Sequence, residues 1–237
     1  MNINEIHINI FYVCILMRLL PALVHFVKYT SCKYKIDESH AVGHAMNVLH
    51  YSQEILNASL QEYPYLKEQE PIIYTSALIH DMVDKKYREP SEAIQTIDSY
   101  LCNHLKPNEI ETIKHIVNTM SYSTVKKQGF PLLGKYQMAY HIVREADLLA
   151  AYDFNRAIIY KMNRENSEFT ECFENSKALF EKRMFQHEAD GLFITKYSKQ
   201  KSKELHENAK MQIASWENIM KSYDSIVQQE NKMNITI

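Results

Sequence analysis

Four residues of this 237-residue chain, His44, His80, Asp81 and Asp147, stand inside stretches that are otherwise apolar at helical spacing. His44 opens HAMNVLHYSQEIL, where Val48, Leu49, Ile55 and Leu56 form a stripe. His80 and Asp81 close the apolar run IIYTSALI, and Asp147 lies in IVREADLLAAYDFNRAII. Three amphipathic helices that each present imidazole or carboxylate from an apolar face can satisfy those groups only inside a helical bundle. Any one of the four alone would read as a hydrogen-bonded core residue. Together, two imidazoles and two carboxylates form a donor set for a hard or borderline divalent ion and leave positions open for water and substrate.

The rest of the chain agrees with an all-α, single-domain bundle. Only 4 Gly and 6 Pro occur among residues that are 46% hydrophobic, a composition of long helices with short connections. Ser39 is placed to cap a helix over 40–60; Pro64 and Pro71 mark the link to a helix over 71–83. Pro90 and Pro107 open two further helices, STVKKQGFPLLGK reads as the main loop over 121–134, and helices follow over 136–163, 168–187 and 198–225. GLFIT, between the last two, is expected to be extended or a turn. Residues 8–27 are apolar, but Arg18 and Pro21 interrupt them and Glu5 precedes them. They therefore predict an amphipathic helix near 16–31 rather than a membrane span or signal peptide. A net charge of −2 supplies no bulk positive field for nucleic acid. Cys14, Cys32, Cys102 and Cys172 are scattered without a CxxC pair, which points to a reducing, cytoplasmic compartment.

The pattern His…His-Asp…Asp closely resembles the HD-domain superfamily of metal-dependent phosphohydrolases. HDMVDKKY looks like the HDxxDxK variant of the nucleotide-pyrophosphohydrolase type. IVNTMSYS is similar to the short apolar-Ser-aromatic-Ser element before the last ligand, and ADLLAAYDFNRA to the family's stretch around it. The resemblance covers roughly residues 17 to 225, leaving 1–16 as an N-terminal extension and 226–237 as a flexible tail. It departs at Tyr152 and Phe154, where Gly is usual, and at Leu149, where Arg is usual.

The resemblance implies one divalent ion on His44, His80, Asp81 and Asp147, with Mn²⁺ expected and Mg²⁺, Fe²⁺, Co²⁺, Zn²⁺ or Ni²⁺ as alternatives. Asp84 would orient the attacking water or act as base, with Lys85 beside it. Lys86, Arg88 and Arg156 would contact substrate phosphate; Arg144, three residues before Asp147 and on the same helical face, would either do the same or pair with a carboxylate. The implied substrate is a small phosphorylated molecule, a nucleotide in the first instance, and Tyr87, Tyr122 and Tyr152 flank the motifs where a base could stack. Alternatives are a nucleoside 5'-monophosphate phosphatase, a dinuclear iron oxygenase that recruits His104, His115 or His141, and a non-catalytic metal-binding module. His40, four residues before His44, is expected near the helix start and exposed.

Overall fold

The computed structural model describes the backbone of residues 3–83, 89–165 and 167–234, and within those spans the side chains of 17–222 other than Pro90. Helix α1 (Ile3–Tyr34) carries Leu19, Leu23, Phe26 and Val27 on one buried face. From residue 17 onward the apolar N-terminal stretch is thus an amphipathic helix. Pro21 lies within it, and the expected boundary between residues 16 and 17 falls inside one continuous helix. No helix among the described residues is long and apolar enough to cross a membrane. α1 ends with Lys35 at φ 52 and a bond from the Ile36 amide to the Ser31 carbonyl (3.0 Å), a left-handed stop more usually built on glycine.

Helix α2 (Val42–Ser59) buries His44, Ala45, Val48, Ser52, Ile55 and Leu56. Ser39 does not cap it. Ala41 occupies the cap position, and the Ser39 hydroxyl bonds instead to Asp37 and His40. A 3-10 turn (Pro64–Gln69) leads into α3 (Glu70–Ile79), which is buried at every position from Pro71 to Ile79. A helix buried on every side belongs at the centre of a bundle, and α3 packs there against α1, α2, α5 (Pro107–Thr119) and α7 (Gln137–Ala150). Between α3 and α5, α4 (Pro90–Leu101) begins on proline as expected. α2 lies mainly along α7.

The segment expected to be loop over 121–134 contains a short helix, α6 (Tyr122–Gln128), capped by the Ser121 hydroxyl on the Thr124 amide (3.2 Å). The single helix expected over 136–163 is two, α7 and α8 (Phe154–Glu165). The Asp153 carboxylate accepts the Arg156 amide at 3.1 Å and starts the new helix. Tyr152 and Phe154, which replace the expected glycines, are core residues; Phe154 packs edge-on to Phe173 and Phe180 of α9 (Phe169–Lys182). Leu149 is likewise buried.

After α9 the chain makes a 3-10 turn (Met184–Gln186), and Thr195 caps α10 (Lys196–Asn234) through the Ser198 amide at 3.2 Å. The helical backbone of α10 runs past the point where the tail was expected to begin. GLFIT is held by α7: the Glu145 carboxylate accepts the amides of Ile194 (2.7 Å) and Thr195 (3.2 Å) and the Thr195 hydroxyl (2.6 Å). Among the described residues there is no strand, and Cys32, Cys102 and Cys172 are free thiols.

Candidate metal centre

Three helices bring the ligand candidates to one point. His44 lies in the first turn of α2, His80 and Asp81 in the 3-10 turn (His80–Val83) that ends α3, and Asp147 on α7. His44 Nε2 lies 3.2 Å from His80 Nε2, 3.2 Å from Asp147 Oδ1 and 3.5 Å from Asp81 Oδ2. His80 Nε2 lies 3.3 Å from Asp81 Oδ2 and 3.6 Å from Asp147 Oδ1. Ligands about 2.1 Å from a tetrahedral or octahedral ion are spaced about 3.0–3.5 Å from one another, so the separations match a coordination shell. His44, His80 and Asp147 could hold a metal ion, and Asp81 Oδ2 stands beside both imidazoles.

The hydrogen bonds support the same reading. His80 Nδ1 lies 2.8 Å from the Ala77 carbonyl, which can only accept, so Nδ1 carries the proton. In the neutral ring that a metal requires, the Nε2 lone pair would then face the other donors, as in metal-ligating histidines. Asp81 Oδ2 is buried without a hydrogen-bond partner, a state that a bound cation relieves. Burial disfavours charge on Asp81 and Asp147, but the neighbouring imidazoles outweigh it and hold both carboxyls well below their usual range. Burial also disfavours charge on His80, yet Asp81 and Asp147 bring its pKa up to about 9. His44 is pushed down by burial. In metal-free protein a protonated His80 meets part of the negative charge of the two carboxylates, and a divalent ion bound there would displace that proton.

A cleft of about 660 Å³ opens over these residues, within the range of small-molecule sites. Its walls include Ser121, Tyr122, Ser123 and Thr124 around the start of α6, together with Arg156, Lys161 and Arg183. Arg156 stands where a substrate contact was expected, with one guanidinium N–H donated to the Ser39 carbonyl at 2.8 Å. Arg144 does not. It is 1% exposed, pairs with Glu145 at 3.2 Å, donates to the Leu192 carbonyl and lies under the Phe130 ring, away from the cleft. Its adjacent carboxylate claims it. Asp84, Lys85, Lys86, Tyr87 and Arg88 lie outside the described residues.

His40 corrects the expectation of an exposed residue: it is half-buried and lines the cleft. His104 and His115 are exposed, and neither they nor His141 lines the cleft. Tyr122 lines it, whereas Tyr152 is buried and donates to the Met184 carbonyl at 2.9 Å. The hydroxyl-bearing residues Ser121, Tyr122 and Ser123 of IVNTMSYS also line the cleft, as does Arg183, which no motif in the sequence marks.

Two other buried histidines set an acid limit on stability. Burial, reinforced by the charge of Arg144, lowers the His141 pKa to about 4; burial, reinforced by Arg183, lowers His187 to about 3. Both titrate near 6.5 in an unfolded chain. Below that pH the unfolded state binds protons that the fold refuses. Stability present above pH 6.5 is therefore lost as pH falls toward 4, by ~1.4 kcal/mol per pH unit for each histidine. His44, also lowered, acts in the same direction, while His80 is charged in both states below 6.5 and adds nothing in this window. Urea midpoints of metal-free protein should fall steeply from pH 6.5 to 5, and less steeply in His187→Phe. A midpoint independent of pH over that range would contradict neutral burial.

No protein-family model and no curated protein sequence matches this chain. Its fold is similar to that of a Lactobacillus plantarum protein whose crystal structure was solved as a structural-genomics target, with a TM-score of 0.61, 16% sequence identity, and coverage of 86% of this chain and 97% of that one. At that identity the likeness is one of fold.

Proposed function

We propose that this chain is an HD-type metal-dependent phosphohydrolase. It would cleave a phosphate ester or anhydride bond of a nucleotide, with nucleoside triphosphates as the favoured substrates, pyrophosphate as the product and Mn²⁺ as the ion. The observation that carries the reading is the convergence of His44, His80, Asp81 and Asp147 donor atoms at 3.2–3.6 Å on the floor of a cleft with guanidinium groups in its wall. A divalent ion there would supply a Lewis acid and lower the pKa of a bound water.

The protein's own contribution is positional. The Ala77 carbonyl fixes the His80 ring so that its Nε2 faces the site. Asp81 and Asp147, kept ionised, supply the negative charge that attracts a cation. Arg156, anchored on the Ser39 carbonyl, places positive charge beside the floor, where a phosphoryl group would gather negative charge during transfer.

The test is metal-dependent release of phosphate and pyrophosphate from a panel of nucleoside triphosphates, deoxynucleoside triphosphates and monophosphates, with Mn²⁺ and with chelator. Pyrophosphate from triphosphates, abolished by chelation, is the expected result. Orthophosphate from monophosphates would reassign the chain to nucleotidase chemistry. No metal-dependent release from any substrate would overturn the proposal.

A further inference from the structure

Among the described residues Arg144 is buried and Arg183 is half-buried, and the two differ in their partners. Arg144 has a carboxylate partner, Glu145, at 3.2 Å. Arg183 makes no ion pair among the described residues, and its Nε is buried without a hydrogen-bond partner. A guanidinium withdrawn from water without a counter-charge is costly unless another anion completes it. Arg183 lines the cleft that contains Asp147.

The surroundings of Arg183 hold it in place; the nearby Asp147 carboxylate favours its charge but forms no ion pair with it. Its backbone is tied at both ends: its amide donates to the Leu179 carbonyl at 2.9 Å, and its carbonyl accepts the Gln186 amide at 3.0 Å. Its guanidinium lies 4.3 Å from the centre of the Tyr122 ring, a cation–π contact that orients the plane and leaves the N–H edges available. Tyr122 is itself fixed by donating to Asp190 at 3.3 Å. The other oxygen of Asp190 is occupied by Lys126 at 2.7 Å, so this carboxylate serves the wall. His187, packed 5.5 Å from Tyr122, is neutral and contributes no negative charge. The remaining cations of the cleft are differently engaged: Lys161 pairs with Glu165 at 2.6 Å, and Arg156 donates to the Ser39 carbonyl.

We infer that Arg183 binds an anionic group of the substrate at the wall of the cleft, next to the group that reacts over His44, His80, Asp81 and Asp147. The inference rests on the phosphohydrolase reading for its choice of anion, a phosphoryl group. A ligand with two adjacent phosphoryl groups would place one over the ligand cluster and the other against the forked donors of Arg183.

Binding of inorganic pyrophosphate to the Mn²⁺-loaded full chain, measured by calorimetry, tests it. Arg183→Gln should weaken pyrophosphate binding tenfold or more, Arg183→Lys should recover part of the loss, and Mn²⁺ affinity measured separately should stay within twofold in both. Unchanged pyrophosphate affinity in Arg183→Gln, or no binding by the wild type, overturns the inference. Should Arg183→Gln fail to fold, Arg183→Lys carries the same comparison, since the loss of planar fork geometry alone should weaken binding severalfold. The two readings separate cleanly. Pyrophosphate bound through Arg183 without hydrolysis of any substrate would sink the phosphohydrolase reading alone. Turnover with unaltered KM and unaltered pyrophosphate binding in Arg183→Gln would sink this one alone.

Discussion

Asp147→Ala is expected to lower Mn²⁺ affinity by more than 100-fold and to abolish metal-dependent phosphate release. Asp147 Oδ1 is 3.2 Å from His44 Nε2 and 3.6 Å from His80 Nε2, at the heart of the cluster. Groups that merely orient metal ligands typically change affinity by about 10–100-fold when removed, so loss of a ligand and its charge should exceed that. Asp147→Asn keeps an oxygen donor of the same shape and removes the charge, and should fall between the two. The measurement is Mn²⁺ titration of the metal-free proteins beside a folded-state check by circular dichroism. Mn²⁺ binding to Asp147→Ala within threefold of wild type would show that Asp147 is not a ligand and would remove the observation on which the proposed function stands.

The second large effect concerns architecture. Glu145 is fully buried and accepts four hydrogen bonds: from Arg144, the amides of Ile194 and Thr195, and the Thr195 hydroxyl. Glu145→Ala leaves the Arg144 guanidinium enclosed without a counter-charge and strands two backbone amides. Breaking one side of a buried pair costs roughly 3–5 kcal/mol. For a chain of this length that corresponds to a fall in Tm of roughly 6–20 °C. Urea unfolding would measure it, and a loss below about 1 kcal/mol would mean that water replaces the carboxylate at no great cost. Arg144→Met combined with Glu145→Ala should recover part of the loss, because the stranded charge is then gone while the unpaired amides remain.

The convergence of His44, His80, Asp81 and Asp147 was legible in the sequence because imidazole and carboxylate recur there on apolar helical faces, and the four side chains do meet. The helices were legible where periodicity was long, as in α2 and α5. Apolar spacing continues through Tyr152 and Phe154, and it hid the Asp153 cap that splits α7 from α8. Gly and Pro in STVKKQGFPLLGK hid α6, although Ser121 caps it in the ordinary way. Arg144 shares a face with Asp147, and sequence spacing alone could not tell whether the ligand site or its own neighbour Glu145 would claim it. Arg183 sits in the charged run EKR at the end of α9, which reads as solvated surface. Only the packing of Tyr122 from a segment about sixty residues earlier turns it toward the cleft.

The central position of α3 has a consequence for what happens when the molecule opens. PIIYTSALI carries no charge, is β-branched at Ile72, Ile73, Thr75 and Ile79, and is wholly covered in the native state. Such a run, once exposed, favours strand pairing with other copies of itself. Glu70 and Pro71 stand at one end of it and Asp81 just beyond the other, in the flanking positions where charge and proline obstruct self-association. A carboxylate that faces both imidazoles of the candidate site in the folded chain thus stands where it would also act as a gatekeeper of the unfolded one. Selection on Asp81 would therefore act through aggregation as well as through chemistry.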